Sequence, residues 1–243
     1  MRNQYNTELE HILEHVLFWR IFFTACNKGG YEHARYDRIY LIMVKNMADH
    51  KTLEYYNDNS AMFTGDTLNV EFSGIQDGFL KYLKEGSLIL DFGCGSGRDS
   101  RYFLSKGYAV EAIDGSEEMV RIASLNTGLP VKHMYFQELD ETEKYDGIFA
   151  CASLLHVPYE ELPDVMQRIY RALKHDGIAY VSFKYGEYEG YRNGRYFTDM
   201  NEERFSTLLE SVPDFEILEE CITADARPGR AEEKWLNVIL RKN

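Results

Sequence analysis

Residues 88–97 read Leu-Ile-Leu-Asp-Phe-Gly-Cys-Gly-Ser-Gly, and residues 108–114 read Tyr-Ala-Val-Glu-Ala-Ile-Asp. The apolar run Ser87–Phe92 has the length and composition of a buried parallel strand. It stops at Gly93, Gly95 and Gly97, residues that let a backbone turn tightly and approach a ligand without Cβ atoms in the way. Arg98–Lys106 follows with Tyr102, Phe103 and Leu104 on a helical face, and Gly107 is its stop signal. A second strand, Tyr108–Ile113, ends on Asp114. The unit is strand, turn, helix, strand, with an acidic residue where a ribose would lie.

The residues around the turn narrow the ligand. A dinucleotide site wants Gly-x-Gly-x-x-Gly, but the place of the third glycine is taken by Arg98. Asp91 stands at the strand end, where a carboxylate repels a pyrophosphate and accepts from an ammonium group. A ligand with a ribose at one end and an amino acid at the other is the one expected, and S-adenosylmethionine fits.

Asp91-Phe92-Gly93-Cys94-Gly95-Ser96-Gly97, with Asp114 closing the next strand, resembles the cofactor-binding motif of class I S-adenosylmethionine-dependent methyltransferases. The resemblance runs from Lys51 to the C-terminus, and Gly-Arg-Asp-Ser after the turn is most similar to small-molecule methyltransferases of the tellurite-resistance type. It implies an α/β, Rossmann-like sheet of seven strands with helices on both faces, the last strand antiparallel and one strand reversed at the edge.

Composition sets further bounds. The chain has 243 residues and a formal net charge of −13, which disfavours nucleic acid as a partner. Cys26, Cys94, Cys151 and Cys221 form no Cys-x-x-Cys pair, so neither a zinc site nor a disulfide framework is implied. Val16–Cys26 is apolar but interrupted by Arg20, and is too short to span a bilayer. A cytoplasmic enzyme without a membrane anchor is expected, its oligomeric state left open.

Residues 1–46 are read as an N-terminal extension, with helical stretches at Glu8–Phe23 and Arg35–Val44, and 47–243 as the methyltransferase domain. A misplaced start and a helical cap over the substrate pocket both account for the extension. Thr52–Asn57 is expected as a short helix, Asn57–Asp66 as a loop, and Val70–Leu83 as a helix. By resemblance this region folds over the cofactor, with Tyr55 assigned to the cofactor and Tyr56 to the substrate.

After Asp114 come Gly115, the N-cap Ser116, and Met119 facing an adenine. Strand Val131–Tyr135 leads to a turn that, by the resemblance, holds the adenine ring, with Gln137 and Glu138 both candidates for its amino group. Strand Tyr145–Cys151 brings Ala150 and Cys151 to the methyl group; Cys151 reads as packing rather than as a nucleophile. His156 is the candidate proton acceptor from a hydroxyl, thiol or amine; a soft tellurium, selenium or sulfur anion needs no base. Arg98 is assigned to the methionine carboxylate of the cofactor.

Pro158–Leu173 has the apolar spacing of a core helix, and Ile178–Phe183 reads as the fifth strand. The stretch after Lys184-Tyr185-Gly186 is expected as a long loop over the pocket, with Lys184 and Arg195 recognising an anionic or aromatic substrate. Asn201–Ser211 is a helix, and Phe215–Ile222 and Trp235–Leu240 form the closing strand pair. The expected function is methyl transfer to a small-molecule acceptor. An RNA or protein methyltransferase, and a silent S-adenosylmethionine-binding regulator, are the alternatives.

Overall fold

The computed structural model describes residues 51–243 apart from Pro213; the extension and its two helical stretches lie outside the described residues. Residues 51–67 form helix α1, followed by α2 (Ser73–Leu80), β1 (Leu88–Phe92), α3 (Arg98–Ser105), β2 (Ala109–Asp114), α4 (Glu117–Thr127) and β3 (Lys132–His133). Then come β4 (Tyr145–Ala150), α5 (Leu162–Ala172), β5 (Leu173–Lys184), β6 (Glu189–Arg192), β7 (Arg195–Thr198), α6 (Glu202–Glu210), β8 (Phe215–Ala224) and β9 (Lys234–Lys242).

Seven strands make one sheet in the order β3-β2-β1-β4-β5-β9-β8. Strands β1 to β5 pair in parallel, and β9 is antiparallel to both β5 and β8. The reversed strand is therefore β9, the last in sequence, as expected, and it lies between β5 and the edge strand β8. The chain leaves β1 towards β2 on one side and resumes at β4 on the other. That divergence opens a crevice at the carboxyl ends of β1 and β4, where ligands of open α/β sheets bind.

Alternation along the strands fills two cores. Leu90 and Phe92, Ile148 and Ala150, and Ala179 and Val181 pack with Val165, Met166 and Ile169 of α5 and with Phe205 and Leu208 of α6. Ile89, Phe149 and Tyr180 face the other way, onto Phe79 and Leu80 of α2 and Phe103 of α3. A sheet covered on both faces explains why these strands read as nearly continuous apolar runs.

Two segments depart from expectation. Residues 51–67 are one continuous helix, not a short helix and a loop. Asn57, Asp58, Asn59, Ser60, Gly65 and Asp66 are poor helix formers, but tertiary contacts along one face outweigh propensity. On that face, buried Thr52 accepts from the Tyr196 backbone N–H at 3.0 Å, and Asn57 Oδ1 accepts from Ser116 Oγ at 2.7 Å and Glu118 N at 3.2 Å.

The second is the expected loop after Gly186, which contains the hairpin β6–β7, registered Arg192↔Arg195 about Asn193 and Gly194. Both turn residues have positive φ, 50° and 81°, the requirement of a type I′ turn. Smaller shifts concern ends: β3 keeps only Lys132–His133, and α5 starts at Leu162 behind two 3-10 turns, 154–156 and 159–161.

Candidate functional site

The glycine turn closes β1 against β2: the N–H groups of Gly93 and Cys94 both donate to Ile113 O, at 3.0 and 2.9 Å. Its three glycines meet different constraints. A Cβ at Gly97 would stand 2.7 Å from Thr127 Cγ2, so this glycine lets α4 pack close. At Gly93 a Cβ would lie 2.5 Å from Ser153 Cβ. At Gly95 (φ 53°) only the Phe63 ring is near, 3.6 Å away, so a side chain there would fill the space between the turn and α1.

Asp114 faces that space. Its Oδ2 accepts from Gly95 N and its Oδ1 from Ser116 N, each at 2.8 Å. Each oxygen keeps a lone pair, an arrangement suited to two neighbouring hydroxyls. Burial raises the Asp114 pKa, and the two backbone donors oppose it. Ser116 caps α4, accepting from Met119 N at 3.2 Å, and Met119 is 1% exposed. Gly115 is pinched between Leu53 of α1 and Tyr135. A ribose diol and an adenine bounded by the turn, α1 and Tyr135 fit these residues.

Asp91 is buried and accepts from Ser100 N at 3.0 Å and Ser100 Oγ at 2.5 Å. Burial, then the nearby charge of Asp99, pushes it up to about 7. Arg98 directs its fork at Asp99, Nε to Oδ1 at 3.0 Å and Nη2 to Oδ2 at 2.8 Å, with its guanidinium 4.2 Å from the Phe72 ring. The residue assigned to the cofactor carboxylate is thus held by a carboxylate of its own chain.

Other candidates fall into similar structural work. Cys94 and Ala150 are buried, and burial pushes the Cys151 thiol up to about 12, so it stays protonated. Gln137 Nε2 donates to Glu161 at 3.1 Å, while exposed Glu138 accepts from Tyr135 N as a helix cap. Lys184 pairs with Glu233 and lies over the Trp235 ring.

The remaining candidates converge. His156 Nδ1 lies 2.6 Å from the Tyr196 carbonyl oxygen, which only accepts, so Nδ1 carries the proton. Its Nε2 is then the acceptor for the Tyr56 hydroxyl at 2.8 Å. Burial pulls the His156 pKa down to about 3, and the charge of Arg195 adds to it, so the imidazole is neutral. Arg195 Nη1 donates to Tyr56 Oη at 3.3 Å, and its guanidinium lies 4.6 Å from the Tyr55 ring and 5.1 Å from Phe197. Tyr56 also meets Phe63 edge-on at 5.1 Å, which ties this cluster to the covered turn.

Sequence reasoning missed Phe63, Asn57 and Thr52, the residues that seat α1. Their spacing with Leu53 and Tyr56 traces one helical face, a signal masked by the polar residues between them.

Residues 89–177 match a family described as a methyltransferase domain. A methyltransferase from Staphylococcus carnosus, described as uncharacterized, is 26% identical over 167 residues, covering 61% of this chain and 80% of that one. The structure is similar to 1,6-didemethyltoxoflavin-N1-methyltransferase from Burkholderia thailandensis, solved with bound 1,6-didemethyltoxoflavin and S-adenosylhomocysteine: TM-score 0.64, 22% identity, 80% of this chain and 87% of that one. A TehB-like methyltransferase from Corynebacterium glutamicum gives a TM-score of 0.58 at 20% identity, covering 79% and 98%. These two likenesses show the fold. Among the described residues no helix is long and apolar enough to cross a membrane.

Proposed function

We propose that the chain is a class I methyltransferase that uses S-adenosylmethionine, and that its acceptor is a small molecule held beside Tyr56 under α1. The cofactor supplies an electrophilic methyl on a sulfonium with a good thioether leaving group. Gly95 leaves the turn open to it, Asp114 accepts from its ribose hydroxyls, and Asp91 faces its ammonium. The carrying observation is that Tyr56 contacts Phe63, which covers Gly95, and also His156 and Arg195. One side chain therefore links the cofactor turn, through its ring, to a cluster of polar groups on the hairpin side, through its hydroxyl.

In this reading α1 excludes water and the cluster aligns the acceptor, the two effects that dominate when the leaving group is already good. His156 fixes the Tyr56 hydroxyl, so a proton from the acceptor reaches His156 Nε2 only by way of Tyr56 Oη. With a pKa near 3 the imidazole is a weak acceptor, which favours acceptors that arrive deprotonated. The acidic balance of the chain also supports a small molecule over RNA.

The test is incubation with S-adenosylmethionine and a panel of thiols, amines, carboxylates and soft oxyanions, scored by S-adenosylhomocysteine release. Release with a small acceptor supports the reading. Cofactor binding without release for any acceptor on the panel points to the silent regulator instead.

A further inference from the structure

Arg195 stands apart from the other arginines of the described residues. All of those except Arg101 have a carboxylate within ion-pair distance, among them Arg98, Arg192, Arg204 and Arg227. Arg101 is an exposed side chain reaching the Leu68 carbonyl. Arg195 is half-buried, and its Nε is enclosed with no acceptor at all. Among the described residues its one hydrogen bond is the 3.3 Å contact to Tyr56 Oη.

Aromatic rings hold it in place. The guanidinium lies 4.6 Å from the Tyr55 ring centre, 5.1 Å from Phe197 and 5.7 Å from Tyr56. Stacking of this kind fixes the plane of an arginine without neutralising it, and leaves the edge of its fork for a planar anion. A chain with 40 acidic residues has many carboxylates to offer, yet among the described residues none lies within ion-pair distance of Arg195. Removing a cation from water without a counter-ion is unfavourable, so a site built this way gains most when an anion arrives.

We propose, resting on the acceptor site assigned above, that the methyl acceptor carries a carboxylate and that Arg195 binds it through its guanidinium edge. Arg195 then sets specificity: it anchors the anion while the ring of Tyr56 defines the acceptor's place beside the turn. A purely structural arginine, stacked only to seat α1 on the hairpin, predicts no preference for an acid over its amide.

The experiment uses the full chain saturated with S-adenosylhomocysteine and titrates benzoate against its neutral counterpart benzamide by calorimetry. Benzoate is expected to bind at least about tenfold more tightly than benzamide, and Arg195→Met to abolish that preference while leaving S-adenosylhomocysteine affinity intact. Arg195→Lys keeps the charge without the fork and should retain only part of the preference. Equal binding of acid and amide, or binding of neither by the S-adenosylhomocysteine complex, overturns the proposal. If Arg195→Met fails to fold, the acid-to-amide ratio of the wild type and of Arg195→Lys decides in its place. Failure to bind S-adenosylhomocysteine is a separate result, and sinks the functional assignment itself.

Discussion

Tyr56 Oη donates to His156 Nε2 at 2.8 Å, joining helix α1 to the turn after β4 across one hundred positions of sequence. The same oxygen receives Arg195 Nη1, so removing it disturbs two partners at once. Tyr56→Phe is expected to lower stability by about 1–3 kcal/mol, because two polar groups lose their partner. Turnover should fall by about tenfold or more while S-adenosylhomocysteine affinity is kept. Urea unfolding and calorimetry measure the two effects; unchanged kinetics would return the pair to a structural role.

His156 gives a pH dependence with a definite sign. Its pKa is about 3 in the folded chain and near 6.5 when solvated, so between these values the unfolded state binds more protons. Stability from this group is therefore present above pH 6.5 and is lost as the pH falls towards 3. Going from pH 7 to pH 5 costs about 2 kcal/mol. Asp91, raised to about 7, acts oppositely over the same range. The difference between wild type and His156→Gln isolates the histidine: relative to wild type, the variant's stability at pH 5 should rise against its stability at pH 7 by about 2 kcal/mol in denaturant unfolding, and an unchanged difference between the two pH values contradicts the assignment.

Asp114→Asn tests the ribose contact. The amide offers one acceptor oxygen where the carboxylate offers two, and both Gly95 N and Ser116 N now depend on it. S-adenosylhomocysteine affinity should fall by roughly 10–100-fold, with a smaller loss of thermal stability. Undiminished affinity would reject Asp114 as a ligand.

Gly97→Ala separates packing from ligand contact within the turn. A methyl group there overlaps Thr127 Cγ2 and sits at a φ of +83°. A loss of about 2–4 kcal/mol is expected from the two effects together. Adding Thr127→Ser removes the clashing methyl and should restore about 1 kcal/mol, leaving the backbone strain. No recovery in the double variant would assign the whole cost to φ.

The chain's own order of residues determined the sheet and the cofactor turn. Leu88–Phe92, the glycines and Asp114 are near neighbours in sequence, and what they do is set by local chemistry: apolar length for a buried strand, absent Cβ atoms for the turn, a carboxylate at the next strand end. The hairpin was not read: Asn193-Gly194 has the residues a type I′ turn asks for, but the polar and aromatic residues around it read as loop.

Only the tertiary structure decided the lid and the acceptor cluster. Helix α1 carries Asn, Asp, Ser and Gly through its middle and persists because Thr52, Asn57 and Phe63 find partners on β7, α4 and the glycine turn. Which arginine lacks a carboxylate partner among the described residues was equally hidden, since Arg98, Arg192 and Arg195 look alike until their neighbours are known. Asp99 and Asp199 hold the first two, and three rings surround the third. Propensity and spacing act over a few residues, whereas pairing between charges and rings depends on which distant segments the fold brings together.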